Sequence, residues 1–400
     1  MKTSLYIHIP FCSAKCRYCD FFSIPYKDKT EPAAWRILQK DLLAGILNEL
    51  EIRLDELTPF KIETIFIGGG TPSAIDPEIL DSFLSGLEKL LAELIDGETE
   101  FSMEANPESC SIEFLAVLRN HSVNRLSIGV QSFNTQTLEK IGRASFPDNV
   151  FETVSEIRSS WKRKLSLDII TGVTPDYLND IQKAVTISPE HLSVYALTIE
   201  ENTPLYEDLL HHRILSPDEE LQAESITAAK AYLEDHGFLR YEISNYLRSD
   251  SATSNECSHN LMYWNMQSYI GVGPAAVSSF YFESKKTRVS NTEDVDRYIS
   301  CFSRGNALPE TCRSTEELNN FDFMLEHYLM GSRLAGGIDS GVFSSRFGHP
   351  PEYFIPETLE RWRSSGLTGS GSCALNDDGM LLLNRFLSEV WDELKKNTFF

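Results

Sequence analysis

Tyr6-Ile-His-Ile-Pro-Phe-Cys12-Ser-Ala-Lys-Cys16-Arg-Tyr-Cys19-Asp-Phe-Phe22 places three thiols within eight residues at the end of an apolar, strand-like run. That spacing predicts an iron–sulfur cluster with one iron left open, because a fully ligated cubane takes four cysteine thiolates and the next cysteine is Cys110. An iron without a protein ligand is a place for reactivity or for a cofactor. Zinc is the competing reading, but structural zinc sites pair two knuckles or add histidines at regular spacing, and no such pair follows here. Disulfides are disfavoured as well. The chain opens on Met-Lys-Thr-Ser with no basic-then-apolar leader, so the thiols are expected to be reduced and free to bind metal.

Four hundred residues, 42% of them hydrophobic, are enough for two to three globular domains with large cores. No apolar run approaches the ~20 residues that span a bilayer, so no stable membrane insertion is expected, and the location is read as cytoplasmic. Lysine and arginine number 36 against 59 aspartates and glutamates, a formal charge of -23. A surface that acidic repels phosphate backbones and anionic lipid, which makes nucleic acid a poor partner.

The first half alternates β-rich runs with helical patterns. Strands are predicted at 5–9, 64–67, 101–104, 125–130, 165–170 and 192–195, and helices at 35–57, 77–94, 112–119, 150–158 and 177–185. Asp76 before Pro77, and Ser111 before Ile112, read as helix starts. Six β–α units predict a parallel sheet or a barrel. Beyond residue 200 the pattern predicts a long helix at 218–236, a strand at 241–246, a polar loop at 249–257, a helical tail from about 291, a helix at 321–334 broken by Gly336-Gly337, and a hairpin of strands 367–375 and 380–384 about the Asn376-Asp-Asp-Gly379 turn.

Barrels of β–α units gather their chemistry where the strands end. The cysteine loop follows the first strand, Gly68-Gly69-Gly70-Thr71-Pro72 the second, Glu104 ends the third, Gln131 the fourth, and Asp168 lies in the fifth. Glycines without Cβ atoms let backbone approach a ligand closely. Each feature alone has an ordinary reading: a tight turn, a surface carboxylate, a helix cap, a partner for Arg143. Together they make a site.

These residues carry a resemblance. The Cys-x3-Cys-x2-Cys loop with Tyr18 before its third cysteine, joined to the glycine-rich strand end, resembles the radical S-adenosylmethionine (radical SAM) superfamily. The resemblance implies a [4Fe-4S] cluster on Cys12, Cys16 and Cys19, whose open iron is chelated by the methionine moiety of S-adenosyl-L-methionine, and a walled pocket for the 5′-deoxyadenosyl radical made when SAM is cleaved. Tyr-Ile-His-Ile-Pro-Phe-Cys, Gly-Gly-Gly-Thr-Pro, Glu-Ala-Asn-Pro, Gly-Val-Gln-Ser-Phe, Ile-Gly-Arg and Asp168 recur in the same order in the branch that holds oxygen-independent coproporphyrinogen III dehydrogenase and the HemW-type heme chaperones. Carried over by motif, Tyr6 lines the SAM site; Gly69, Gly70 and Thr71 contact its methionine part; Glu104, Gln131, Arg143 and Asp168 hold its remaining polar groups; Ala196 matches less closely. The implied fold is α/β: a partial (β/α)6 radical SAM barrel followed by a small, mainly helical C-terminal domain with a β wing. The expected division is 1–240 for the barrel, 241–300 for a connecting segment and 301–400 for the tail.

Two features divide the branch. The dehydrogenase resembles Cys-x3-Cys-x2-Cys-x-Cys behind an N-terminal extension, whereas this chain has Phe21 at the fourth position and Tyr6 near its start. Cys257-Ser-His259-Asn-Leu-Met-Tyr263-Trp264 resembles the His-Asn-x-x-Tyr-Trp motif of the chaperones, in which His259 would offer an imidazole nitrogen to heme iron, the two aromatic rings would face the macrocycle, and Cys257 is a second candidate ligand. The competing reading is a packing cluster around a hydrogen-bonded imidazole. Departures are Asp168-Ile-Ile-Thr-Gly-Val-Thr-Pro175 and Gly271-Val-Gly-Pro-Ala-Ala-Val277, which lack an aromatic residue near the SAM pocket and a histidine near the porphyrin. The resemblance implies a heme chaperone that passes heme to apo-hemoproteins. The alternatives are decarboxylation of coproporphyrinogen III and, less favoured by charge, RNA modification. A homodimer is compatible with the sequence.

Overall fold

The computed structural model describes residues 2–397 except 27–30, 58–60, 250–253, 283–285, 304–308 and 372. Strands β1 (Lys2–Ile9), β2 (Lys61–Gly69), β3 (Glu100–Ala105), β4 (Arg125–Gln131), β5 (Lys164–Thr171) and β6 (His191–Ala196) pair in parallel in chain order. Helices α1 (Pro32–Leu57), α2 (Pro77–Leu91), α3 (Ile112–Asn120), α4 (Thr135–Lys140), α5 (Val150–Ser160) and α6 (Tyr177–Ile187) connect them. Both predicted starts are real: the Asp76 carboxylate accepts from Glu78 N ahead of Pro77, and Ser111 accepts from Phe114 N, each satisfying a backbone donor that the helix leaves unpaired. The short α4, capped by Asn134, was not expected from periodicity.

The strands carry two kinds of face. Leu5, Ile7, Ile65, Ile67, Leu126 and Ile128 point outward and are wholly buried, as helix-covered sheet residues should be. The alternate positions hold Ser4, Thr64, Ser102, Glu104, Ser127, Ser166 and Asp168. A parallel sheet covered on both faces would be apolar on both, so the polar inner face marks a lumen.

The sheet continues beyond the six expected strands. The predicted strand at 241–246 is instead two, β7 (Phe238–Arg240) and β8 (Asn245–Arg248), with β8 lying between β6 and β7 and antiparallel to both. Tyr241 N donates to Asn245 O, and Ser244 N to the Glu242 carboxylate, which closes a turn inside that segment. At the other edge β9 (Tyr269–Val272) lies parallel to β1, followed by antiparallel β10 (Val277–Tyr281), β11 (Lys286–Asn291) and β12 (Arg313–Glu317). The order β12-β11-β10-β9-β1-β2-β3-β4-β5-β6-β8-β7 leaves β1 and β6 unpaired with each other; the barrel is partial. Between these edges run α7 (Pro204–Leu210), α8 (Glu219–Asp235), whose cap is Asp218, and α9 (Ser258–Trp264). Part of the polar loop predicted at 249–257 lies outside the described residues.

Buried side chains form two clusters, a large one from Leu5 to Cys312 and a smaller one from Met324 to Leu394. The tail is helical, but among the described residues the expected β wing is reduced to one bridge joining Thr368 to Leu375, followed by helix at Asp377–Leu381 and Leu383–Lys396. Asn376 accepts from Gly379 N as a helix cap, and Leu383, Phe386, Val390 and Leu394 are buried at helical spacing. Cys301 and Cys312 are joined by a disulfide, contrary to the expectation of free thiols throughout; both are buried where the helix Val295–Phe302 and the start of β12 meet on the core. Cys12, Cys16, Cys19, Cys110, Cys257 and Cys373 are free. No helix among the described residues is long and apolar enough to cross a membrane.

Candidate active site at the barrel mouth

A cavity of about 460 Å³ opens at the C-terminal ends of the strands and is lined by Cys12, Cys16 and Cys19 together with Gly69, Gly70, Thr71, Glu104, Gln131, Arg143, Asp168 and Ala196. The cysteine loop is held by backbone bonds at several points. Ile24 N donates to Pro10 O and Tyr26 N to Cys12 O, which ties the loop's two ends together; Arg17 N reaches Gly142 O, and Leu205 N at the start of α7 reaches Arg17 O. The glycine strand end is held in turn, with Gly70 N on Ile9 O at 2.8 Å and Thr71 N on Phe11 O at 2.6 Å. Gly69 has a φ of +105°, a conformation open to glycine and few others, and a Cβ there would lie 2.3 Å from the His8 ring.

The polar wall follows from the strand ends. Glu104 Oε2 accepts from Gly69 N at 3.1 Å, and Asn106 Nδ2 donates to Thr71 Oγ1 at 3.0 Å. Gln131 sits at a bulge in β4 with φ of 66°, a strained geometry for a residue with a side chain, and faces the cavity. Arg143 donates to Gly129 O at 3.0 Å and to the Tyr18 hydroxyl at 3.2 Å, joining β4 to the cysteine loop, and its carboxylate partner is Glu108 at 3.6 Å. Asp168 accepts from Ser127 Oγ at 3.2 Å. Asn106, Ser127 and Tyr195 also line the cavity and were missed; Ser127 lies four residues before Gln131 on the same strand, so period-2 alternation was the signal that would have found it.

Burial, with the nearby charge of Asp168, raises the Glu104 carboxyl to about 7, and burial raises Asp168 to about 6. Two carboxyls that pay desolvation when ionised suit a cationic ligand, whose arrival would favour their charged forms. The sign for the ligand-free protein follows. A carboxyl whose folded pKa is raised contributes stability that is present below its ordinary value of 4.5 and is lost as pH rises through about 7. Glu104→Gln should therefore raise the melting temperature of the ligand-free protein above about pH 7 and change it little near pH 4.5; thermal melts across that range check it.

The donor set also discriminates between metals. No three His, Cys, Asp or Glu side chains among the described residues converge on one point as ligands of a single ion, which a tetrahedral zinc would require. Three free thiols on one loop that line one cavity without converging fit a cluster, in which each thiolate serves its own iron. Gly69 and Gly70 line the opposite wall, and the Cβ each lacks would run into the His8 ring and the Pro10–Phe11 backbone respectively.

Two residues assigned to cofactors stand elsewhere. Tyr6 is not among the residues lining the cavity: its hydroxyl donates to His8 Nδ1 at 2.9 Å, and its ring stacks on Phe66. His259 belongs to the opposite end of the barrel. The segment from Asn255 through α9 seals the strand beginnings: Arg125 pairs with Glu100 and donates to the carbonyls of Asn255 and Glu256, while Glu100 accepts from Ser258 N and His259 N. His259 is 1% exposed. Thr64 gives its proton to Ser4, so Thr64 Oγ1 accepts from His259 Nδ1 at 2.8 Å, and Nε2 accepts from Tyr263 at 3.0 Å. Burial lowers the imidazole to about 3. Heme iron needs a free, unprotonated nitrogen, and this ring has none. In this structure His259 stands in the packing arrangement, with both ring nitrogens taken by Thr64 and Tyr263. Cys257 is likewise buried, against Glu100.

Fold and site together define a radical SAM protein, and the Radical SAM superfamily profile matches residues 6–186. Over 397 residues the chain is 32% identical to heme chaperone HemW of Bacillus subtilis (strain 168), covering 98% of this chain and all of that protein. It is also 32% identical to HemW of Escherichia coli (strain K12) over 96% of this chain and 97% of the relative. The chain belongs to the HemW family. Among solved structures, coproporphyrinogen III oxidase (HemN) from Escherichia coli superposes with a TM-score of 0.75 at 20% identity, covering 97% of this chain and 89% of that one; the likeness is one of fold.

Proposed function

We propose that this protein is a heme chaperone, which binds heme and passes it to apo-hemoproteins in the cytoplasm. It would carry a [4Fe-4S] cluster on Cys12, Cys16 and Cys19 and an exchangeable S-adenosyl-L-methionine against Gly69, Gly70, Thr71, Glu104, Gln131, Arg143 and Asp168. The observation that carries the reading is the cavity that unites three free thiols with this polar wall in a chain so similar to HemW along its length. When bound, such a cluster supplies single electrons; the residues of this chain hold it, exclude water and bind the cofactor's charges. Phe21 stands in the cavity lining where the dehydrogenase pattern has its fourth cysteine, which supports the chaperone over the decarboxylating enzyme. Nucleic acid, stable membrane insertion and a homodimer obligatory for the site form no part of the proposal. The three-segment division of the chain, 1–240, 241–300 and 301–400, is likewise proposed, and limited proteolysis tests it.

The test is anaerobic heme titration of the cluster-loaded protein, followed by transfer to an apo-hemoprotein and by product analysis with coproporphyrinogen III, SAM and a reductant. Heme uptake and transfer without protoporphyrinogen are expected; protoporphyrinogen formation would overturn the chaperone reading. In the same titration His259→Ala should bind heme as wild type does, while losing about 1–3 kcal/mol of stability as the Thr64 and Tyr263 hydroxyls lose their partner. A heme affinity lowered about tenfold or more in a folded variant would restore His259 to the heme site.

A further inference from the structure

His8 is a buried histidine that the cofactor assignment leaves unused, and it touches both halves of the site. Its Nε2 lies 2.9 Å from the carbonyl oxygen of Phe22, just after the last cysteine, and its Nδ1 lies 2.9 Å from the Tyr6 hydroxyl. A carbonyl can only accept, so Nε2 carries the proton and Nδ1 accepts from Tyr6. One tautomer satisfies all three groups. The ring also forms the floor beneath Gly69, the strand-end residue whose absent Cβ would overlap it, while the His8 carbonyl oxygen would lie 2.3 Å from a Cβ at Gly273 on the far side of β1. From below, Tyr6 packs on Phe66, and Phe66 stacks on His259 of the barrel floor at 5.1 Å between centroids. The imidazole thus sits between the cysteine loop and the glycine strand end, bonded to the first and in contact with the second.

We propose that His8 is a positioning residue that sets the cysteine loop in register with Gly69 and Gly70, so that a cluster on the loop and a cofactor on the strand end meet at bonding distance. The proposal rests on the reading of this cavity as a cluster and SAM site. His8 touches neither group; it acts through the Phe22 carbonyl and the Gly69 backbone. It also explains why the Tyr6 hydroxyl is directed at His8, within the wall, as the second anchor of the ring.

The test uses the full-length protein, reconstituted anaerobically with iron and sulfide, in three forms: wild type, His8→Leu, which fills the space without hydrogen bonds, and His8→Gln, whose amide can still donate to Phe22 O. The reduced cluster is followed by electron paramagnetic resonance with and without SAM, and SAM affinity is measured alongside. His8→Leu is expected to retain iron but to lose the SAM-dependent change of spectrum and to bind SAM about tenfold more weakly, the scale of a buried group left unpaired; His8→Gln should restore most of both. Hydrogen exchange of ligand-free protein gives an independent readout, with faster exchange expected in peptides spanning 11–26 for His8→Leu and not for His8→Gln. Should His8→Leu not fold, Tyr6→Phe removes only the second anchor and should weaken SAM binding in the same direction. Wild-type spectra, affinity and exchange in His8→Leu, or in Tyr6→Phe where it stands in, would overturn the proposal, as would a His8→Gln variant no better than His8→Leu. A wild-type protein that takes up no cluster would overturn the site reading instead.

Discussion

Replacing any one of Cys12, Cys16 and Cys19 by alanine is expected to abolish cluster uptake, leaving iron and sulfide near background and removing the visible absorption after anaerobic reconstitution. The magnitude is large because a cubane held by three protein thiolates already has one iron without a protein ligand, and losing a second exposes the cluster to exchange and hydrolysis. The fold should persist. The loop is kept in place by main-chain bonds from Arg17, Ile24, Tyr26 and Leu205, none of which uses a thiol, and the three cysteines are only half-buried. Circular dichroism and melting temperature of the ligand-free variants should therefore match wild type. Cys110, Cys257 and Cys373 are the internal controls: they are free but buried, and their replacement by alanine should leave iron content unchanged. Full cluster content in a Cys16→Ala protein would show that the metal sits elsewhere.

Arg125→Ala is expected to be the most destabilising single change in the barrel, by about 3–5 kcal/mol, the cost of leaving one partner of a buried ion pair alone. Arg125 is 1% exposed, its Nε lies 3.2 Å from Glu100 Oε2, and its Nη2 lies 2.9 Å and 2.5 Å from the carbonyl oxygens of Asn255 and Glu256. Truncation strands Glu100 in the lumen and cuts the tie that draws the floor segment against β3 and β4. Denaturant unfolding of ligand-free protein measures the loss, and proteolysis should cut preferentially near residues 255–264. Arg125→Met with Glu100→Gln removes both charges and should recover part of the stability. If the single substitution costs less than about 1 kcal/mol, the value of an exposed pair, the floor is not held by this ion pair.

Much of the barrel was legible because its signals are local. Period-2 apolar runs, helical spacing between them, Asp76 and Ser111 as caps, and polar or glycine residues at successive strand ends are each set within a few residues of chain. The same locality explains the errors. Leu367 to Asn384 has enough apolar residues and a turn-like Asn376-Asp-Asp-Gly379 to pass for a hairpin, yet Leu383, Phe386, Val390 and Leu394 continue at helical spacing into the final helix. Strand β9 was missed because Tyr269–Val272 is four residues long and becomes a strand by pairing with residues 4–7 of β1.

His259 shows the other limit. Its motif pairs an imidazole with two aromatic side chains, a chemistry that suits a macrocycle and a packed core equally well. The hydrogen bonds that hold the ring come from Thr64 and Tyr263, and Thr64 lies 195 residues away in the chain. Tyr6 likewise differs from Gly69 in no local property that says which one faces the cavity.

By itself the sequence determined the three-thiol loop, the β–α alternation, the helix caps and the acidic surface, since spacing, periodicity and charge are properties of neighbouring residues. Only the tertiary structure decided which strand-end groups share a cavity, that Tyr6 and His259 are taken up by Phe66, His8, Thr64 and Tyr263, and that Cys301 meets Cys312. The physical reason is that a buried polar group must find its hydrogen-bond partner when water is excluded, and here the partners are supplied by segments that meet only as the strands assemble.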